Sequence, residues 1–303
     1  MNKRYIIFRA ILSFFTIFVG IGAFAGAICM FIDPSGKILQ MDGLLPYFEV
    51  LPFSDVLFKD YVFPGIALII VNGISNLTAA ALLLKGKKSG IICGMIFGVT
   101  LMLWITIQFV IFPTNALSII FFITGALQLL SGYICYVGYS QWQFALRRET
   151  AEIPNFKEAK KLVVYFSRTG YTEQIARNIA LREGADLLKI VATERTEGDL
   201  GFWWCGRFAM HKWGMPIKNY NTLTSNYDEV TLCTPVWAFD ISAPMRKFCE
   251  DNAGKIKKVN YVFTHFMNAK FYNLADKTDE ILGIKHSGVT SYRVRFGNAK
   301  ELK

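Results

Sequence analysis

Apolar positions follow two regimes along the 303-residue chain. In the first half they form long stretches over Tyr5–Phe31, Tyr61–Leu84, Gly90–Phe112 and Ala116–Val137. Each is long enough for a helix to cross about 30 Å of hydrocarbon. In the second half they shorten to β-rich runs over Leu162–Phe166, Asp186–Val191, Val230–Thr234, Asn260–Thr264 and Val289–Val294. Segments with helical spacing lie between these runs, as where Ile175, Ala176, Ile179 and Ala180 share one face. Strands alternating with helices predict a doubly wound parallel sheet. The pattern as a whole predicts an all-α transmembrane four-helix bundle over 1–140, a polar juxtamembrane linker over 141–160 and a five-stranded α/β domain over 161–303.

Charge adds an orientation. Lys3, Arg4 and Arg9 flank the first span, Lys85, Lys87 and Lys88 fill the turn between the second and third, and Arg147 and Arg148 follow the fourth. The loop 33–60 is net acidic and the remaining turn carries no charge. The positive-inside rule then gives a multi-pass cell-membrane protein with both termini, and the α/β domain, in the cytoplasm. Ala23 and Ala25 offer a signal-peptide cleavage pattern, but the apolar run continues past them, which favours a retained helix. The net charge of +10 is expected to meet the anionic inner leaflet of the bilayer. No nucleic-acid motif accompanies it.

Within the spans no Asp, Glu, Lys or Arg lies deep, which argues against a pump or proton relay. The first histidine is His211, so paired haem ligands within the bundle are excluded. The cysteines are scattered and predict no metal site. Gly20, Gly22 and Gly26 suggest close helix packing. Asn72, Ser75, Asn76, Thr78, Gln108 and Gln128 suggest either interhelical hydrogen bonds or a pocket for an amphiphile such as a quinone. Leu44 to Leu57 reads as a short segment along the outer interface. The aromatic and basic stretch Gly201–Gly214 reads as a helix packing on the sheet, with contact to the bilayer interface as the alternative.

Candidate chemistry begins after the first strand. Ser167, Arg168, Thr169, Gly170, Tyr171 and Thr172 supply hydroxyls and a glycine immediately before a helix, a suitable cradle for a phosphate. A nucleotide P-loop and a GxGxxG turn both fit poorly. The spacing of Ser167, Thr169, Gly170 and Thr172 resembles the phosphate loop of the flavodoxin family. Thr234, Pro235, Val236, Trp237 and Ala238, after the third strand, resemble that family's second flavin loop, with Trp237 at the stacking position. The resemblance covers the chain from about Lys160 onward and implies strand order 2-1-3-4-5 and FMN as cofactor. It also implies a third loop at Thr264, His265, Phe266 and Asn268. Here the chain departs from the family, lacking the usual glycines, and Cys233 stands where relatives often have glycine. The resemblance points to electron transfer by bound FMN, to a quinone or a protein partner, with no side chain needed as acid or nucleophile. Two other readings stay open: an NAD(P)H-dependent quinone or flavin reductase, and a non-redox scaffold that has lost FMN. The closing helix after the fifth strand looks short or missing, which leaves an edge for the bundle, a partner or a second copy of the chain to cover.

Overall fold

The computed structural model describes residues 3–147 and 159–302 and divides into two compact units, Met1–Trp142 and Gln143–Lys303. Most of the expected linker, 148–158, lies outside the described residues.

Among the described residues four helices, α1 (Lys3–Ile32), α2 (Val62–Leu84), α3 (Lys88–Ile111) and α4 (Ala116–Arg147), are each long and apolar enough to cross a membrane, and all but residues 143–147 of α4 belong to the first unit. Helix α4 continues past the boundary expected at 140. Phe14, Ile21, Leu103 and Val110 are exposed, as lipid-facing positions would be. Tyr5, Leu12, Leu83, Ile91 and Cys135 fill one end of the bundle, and Met30, Phe48, Tyr61, Ile111 and Phe112 the other. Helices α3 and α4 approach closely at Gly98 and Gly125, where an added Cβ would lie 2.9 Å from backbone oxygen of the other helix. Gly22 and Gly26 behave differently from the sequence expectation. An added Cβ at these positions would meet side-chain atoms no nearer than 4.0 and 3.4 Å, so neither marks a tight crossing.

The polar stripe is partly the hydrogen-bonding network anticipated. Gln128 donates to Asn76 Oδ1 at 2.9 Å and to the Gly94 carbonyl at 2.9 Å, tying α4 to α2 and α3. Within α2, Ile69–Ile74 form a π-helical turn. The connection from α1 to α2 is broken into a 3₁₀ helix, Asp42–Val50, and a short turn of helix, Ser54–Leu57. Asp33 organises its start by accepting from the Ser35 and Ile38 backbone N–H groups.

The second unit is built on a seven-stranded sheet of β1 (Lys161–Tyr165), β2 (Asp186–Lys189), β3 (Glu229–Trp237), β4 (Asp240–Ile241), β5 (Val259–His265), β6 (Gly288–Arg295) and β7 (Asn298–Glu301). The order is β2-β1-β3-β5-β6-β7, with β4 paired to β3. The expectation of five strands therefore needs correcting. The added strands, β4 and β7, are short and antiparallel, each folding back on the preceding strand. Among the described residues β6 is followed by β7, which pairs with it, and all of β7 is exposed. Helices α5 (Tyr171–Glu183), α6 (Gly198–Met210), α7 (Ala243–Asp251) and α8 (Tyr272–Leu282) connect the strands.

The central strands are covered on both faces, which is why they read as unbroken apolar runs. Leu162, Val164, Leu232 and Phe263 pack with Met245 and Phe248 of α7, while Val163, Tyr165 and Val262 pack with Ile175, Ala176 and Ile179 of α5. Helix α6 bears out the packing expected of its aromatics only in part. Phe208 packs beside Cys205, Met215 and Ala243, whereas Phe202 and Trp203 are exposed, Trp203 to 74%.

Candidate functional site

The site is framed by the loops that follow β1, β3 and β5, which leave neighbouring parallel strands at the same edge of the sheet. In an open α/β sheet that edge is where ligands bind.

The first loop is set by Gly170. Its φ of 92° lies in the left-handed region, which costs glycine little. Ser167 Oγ accepts the Gly170 N–H at 3.0 Å and closes the turn. Helix α5 starts at Tyr171 with glycine in the cap position, so no cap side chain competes for the N–H groups of its first turn. These groups lack intrahelical partners and carry the positive end of the helix dipole. Thr169 is exposed beside them. Arg168 points away, donating to the carbonyls of Thr196 at 2.8 Å and Gly198 at 2.7 Å. It ties this loop to the start of α6 and lies over the Phe202 ring at 5.3 Å.

Tyr171 and Thr172 also have structural partners. The Tyr171 hydroxyl accepts the Gly297 N–H at 2.7 Å, and burial raises its pKa. Thr172 is 3% exposed, and its hydroxyl is bonded to that of Thr264 at 2.7 Å. That bond brings the first and third loops together.

The second loop is a tight hairpin between β3 and β4. Its two central residues, Ala238 (φ 47°) and Phe239 (φ 61°), are both left-handed without being glycine. A two-residue turn of this kind matches the twist of the strands but is strained for residues with a Cβ. It is held by what surrounds it. Thr234 Oγ1 is bonded to Ser242 Oγ at 2.8 Å and accepts the Ser242 N–H at 3.2 Å. Asp240 accepts from Arg246 at 2.6 Å and from the Ile241 N–H at 2.7 Å. Trp237 is half-buried, edge-on to Phe166 at 5.5 Å. Phe239 stands exposed to 69% at the hairpin tip.

In the third loop His265 is 6% exposed. Its Nδ1 faces the Met267 carbonyl at 3.1 Å and its Nε2 the Ser291 hydroxyl at 2.7 Å. Burial lowers its pKa, only partly offset by the Met267 bond. A ring held at both nitrogens orients the loop. Phe266 and Asn268 are exposed. Arg295 lies over the Phe266 ring at 4.3 Å, and Asn268 accepts from Arg293 at 3.2 Å. Both arginines come from β6.

Cys233 is fully buried and its thiol pKa is raised by that burial. Asp276, Asp279 and His286 also gather within 4.8 Å. Asp279 is already engaged there by the Tyr261 hydroxyl and by His286, which makes it a clasp of α8 to β5. Sequence reading missed Asp240, Ser242, Arg246 and the exposed Phe239. Ser242 followed by Pro244 in the first turn of α7 was the available signal for that support.

No protein-family model matches the chain, and no curated protein does. Solved structures similar to it include the flavoprotein from Lactobacillus acidophilus NCFM in complex with FMN, at 20% identity over 44% of this chain and 93% of that one, with a TM-score of 0.39. A protein from Bacteroides eggerthii assigned to the flavoproteins is 24% identical over 44% of this chain and 87% of that one, with a TM-score of 0.40. Another so assigned, from Bacteroides uniformis, is 21% identical over 46% of this chain and 94% of that one, also with a TM-score of 0.40.

Proposed function

We propose that the second unit binds FMN and serves as a flavodoxin-like electron-transfer module, anchored by the helical unit to the cytoplasmic face of the membrane. The observation that carries this reading is the convergence of an open helix N-terminus, with a hydroxyl-rich turn before it, on the loops bearing Trp237 and Phe266. The donor set suits the group: backbone N–H and hydroxyls for a phosphate, flat aromatic side chains for the isoalloxazine. Ser167, Thr169, Gly170 and the first N–H groups of α5 would hold the phosphate. Pro235, Val236, Trp237, Ala238 and Phe266 would border the ring. Thr172, Thr234, Thr264, His265 and Asn268 hold the three loops in register, and Arg168 braces the first. FMN, when bound, supplies the one- or two-electron chemistry.

The chain's own part is orientation. The Asp240–Arg246 pair sets the hairpin and so the position of Trp237, and the Thr172–Thr264 bond fixes the spacing between the phosphate loop and the third loop. The basic residues at one end of the helical unit support cytoplasmic termini, where soluble reductants are available. A quinone or a protein is the acceptor we expect.

The test is a titration of flavin-stripped full-length protein with FMN and with riboflavin, followed by flavin fluorescence. FMN should bind with quenching, and riboflavin, lacking the phosphate, at least tenfold more weakly. Equal binding of the two would remove the phosphate loop from the account. Binding of neither would favour the scaffold. Bleaching of bound FMN by NADH or NADPH without a second protein would favour the reductase reading.

A further inference from the structure

The helical unit contains a cavity of about 540 Å³, formed by the parts of α1–α4 remote from the basic Lys85–Lys88 turn and by the connections around Leu39–Leu44 and Pro113–Asn115. Among the described residues no charged side chain lines it, and its wall is largely apolar and aromatic, with Trp104, Phe112 and Phe121 among the lining residues.

Asn72 sets this cavity apart from ordinary packing space. Asn72 lines the cavity and is 1% exposed. Among the described residues, neither its amide oxygen nor its amide nitrogen has a hydrogen-bond partner. Its neighbour one turn on, Asn76, shows the contrast: that amide bonds the Asn72 carbonyl and accepts from Gln128. A buried amide without partners costs stability and calls for an explanation. Asn72 also sits in the π-helical turn of α2, a rare geometry that recurs at functional sites. Gly22 and Gly26 line the same cavity from α1 and make no tight backbone contact, so they leave room there.

We infer that the cavity binds an uncharged membrane-soluble molecule whose head carries a carbonyl or hydroxyl, with Asn72 as its hydrogen-bond partner. The amide offers one acceptor and two donors, which suits either redox state of a quinone–quinol pair and also the head of a diacylglycerol. The neutral wall disfavours a phosphate or carboxylate head, whose charge would be buried without a partner. This inference does not depend on flavin binding by the second unit.

The test uses the full-length protein in phosphatidylcholine nanodiscs, titrated with a short-chain naphthoquinone or with a diacylglycerol and compared with protein-free discs. Saturable binding of one molecule per chain is expected. Saturation by the quinone identifies a quinone site, and saturation by the diacylglycerol alone identifies a lipid site; either supports the inference. Asn72→Leu should weaken binding at least tenfold while melting no lower than the parent, because no internal bond is lost. Gly22→Leu, which fills the cavity from α1, should abolish binding independently. The inference is overturned if both compounds merely partition as into protein-free discs, or if Asn72→Leu binds as tightly as the parent.

Discussion

The hairpin that positions Trp237 offers the sharpest test of how this fold holds its loops. Asp240 and Arg246 form an ion pair whose side chains are only 7% and 13% exposed. Removing one partner from a buried pair costs about 3–5 kcal/mol, because the other charge is left without compensation. Asp240→Ala also strands the Ile241 N–H, in a residue 1% exposed, a loss of about 1–3 kcal/mol on its own. Replacing both partners, Asp240→Ala with Arg246→Met, removes the stranded charge and leaves only the orphaned N–H. The double variant should therefore sit about 1–3 kcal/mol below the parent, and Asp240→Ala alone lower still, by more than about 3 kcal/mol. The assay is pulse proteolysis of the full-length protein in urea, following the second unit through a C-terminal tag. If Arg246→Met lowers the stability of the Asp240→Ala variant further instead of recovering part of the loss, the pair carries no coupling and the account of the hairpin is wrong.

Three further outcomes follow from the structure. His265 has its pKa lowered by burial, so the folded state binds the proton less readily than the unfolded chain. Its contribution is present above the unfolded value of 6.5 and is lost as pH falls through the lower folded value; urea midpoints should decline on acidification, and His265→Gln should flatten that decline. Gly98→Ala should destabilise the helical unit by about 1–3 kcal/mol, since the new Cβ meets backbone atoms at 2.9 Å. Gly22→Ala should be tolerated, which a thermal melt in detergent would show. An alkaline phosphatase fused after Lys303 should be inactive in a bacterial host, and activity there would reverse the orientation taken from the basic residues.

What was legible in the sequence followed from strong periodicity. The long apolar runs gave the four helices, and Leu162–Phe166 read as a buried strand because both faces of β1 are covered. The added strands were not legible for opposite reasons. β4 has two residues, Asp240 and Ile241, too few to show any period. β7 runs Asn298–Glu301, exposed throughout, with no apolar alternation to mark it. Gly297, left-handed in the turn before it, was the one local signal for that hairpin. The Ala238–Phe239 turn gave none, because its conformation is imposed by the pairing of β3 with β4 and by Asp240. At the loop after β1 the residue types were readable, but their partners were not. That Thr172 reaches Thr264, 92 positions away, and Arg168 the carbonyls before α6 are consequences of tertiary placement. The same holds for the aromatics of α6, since spacing alone cannot tell which face of a helix meets the sheet.

The central claim is that the second unit carries FMN. Its most direct test is the visible spectrum of the full-length protein as purified in detergent, with chromatographic identification of the cofactor released on denaturation. The account predicts a flavin spectrum and FMN at close to one per chain. Protein that is colourless as purified and stays so after incubation with excess FMN would contradict it.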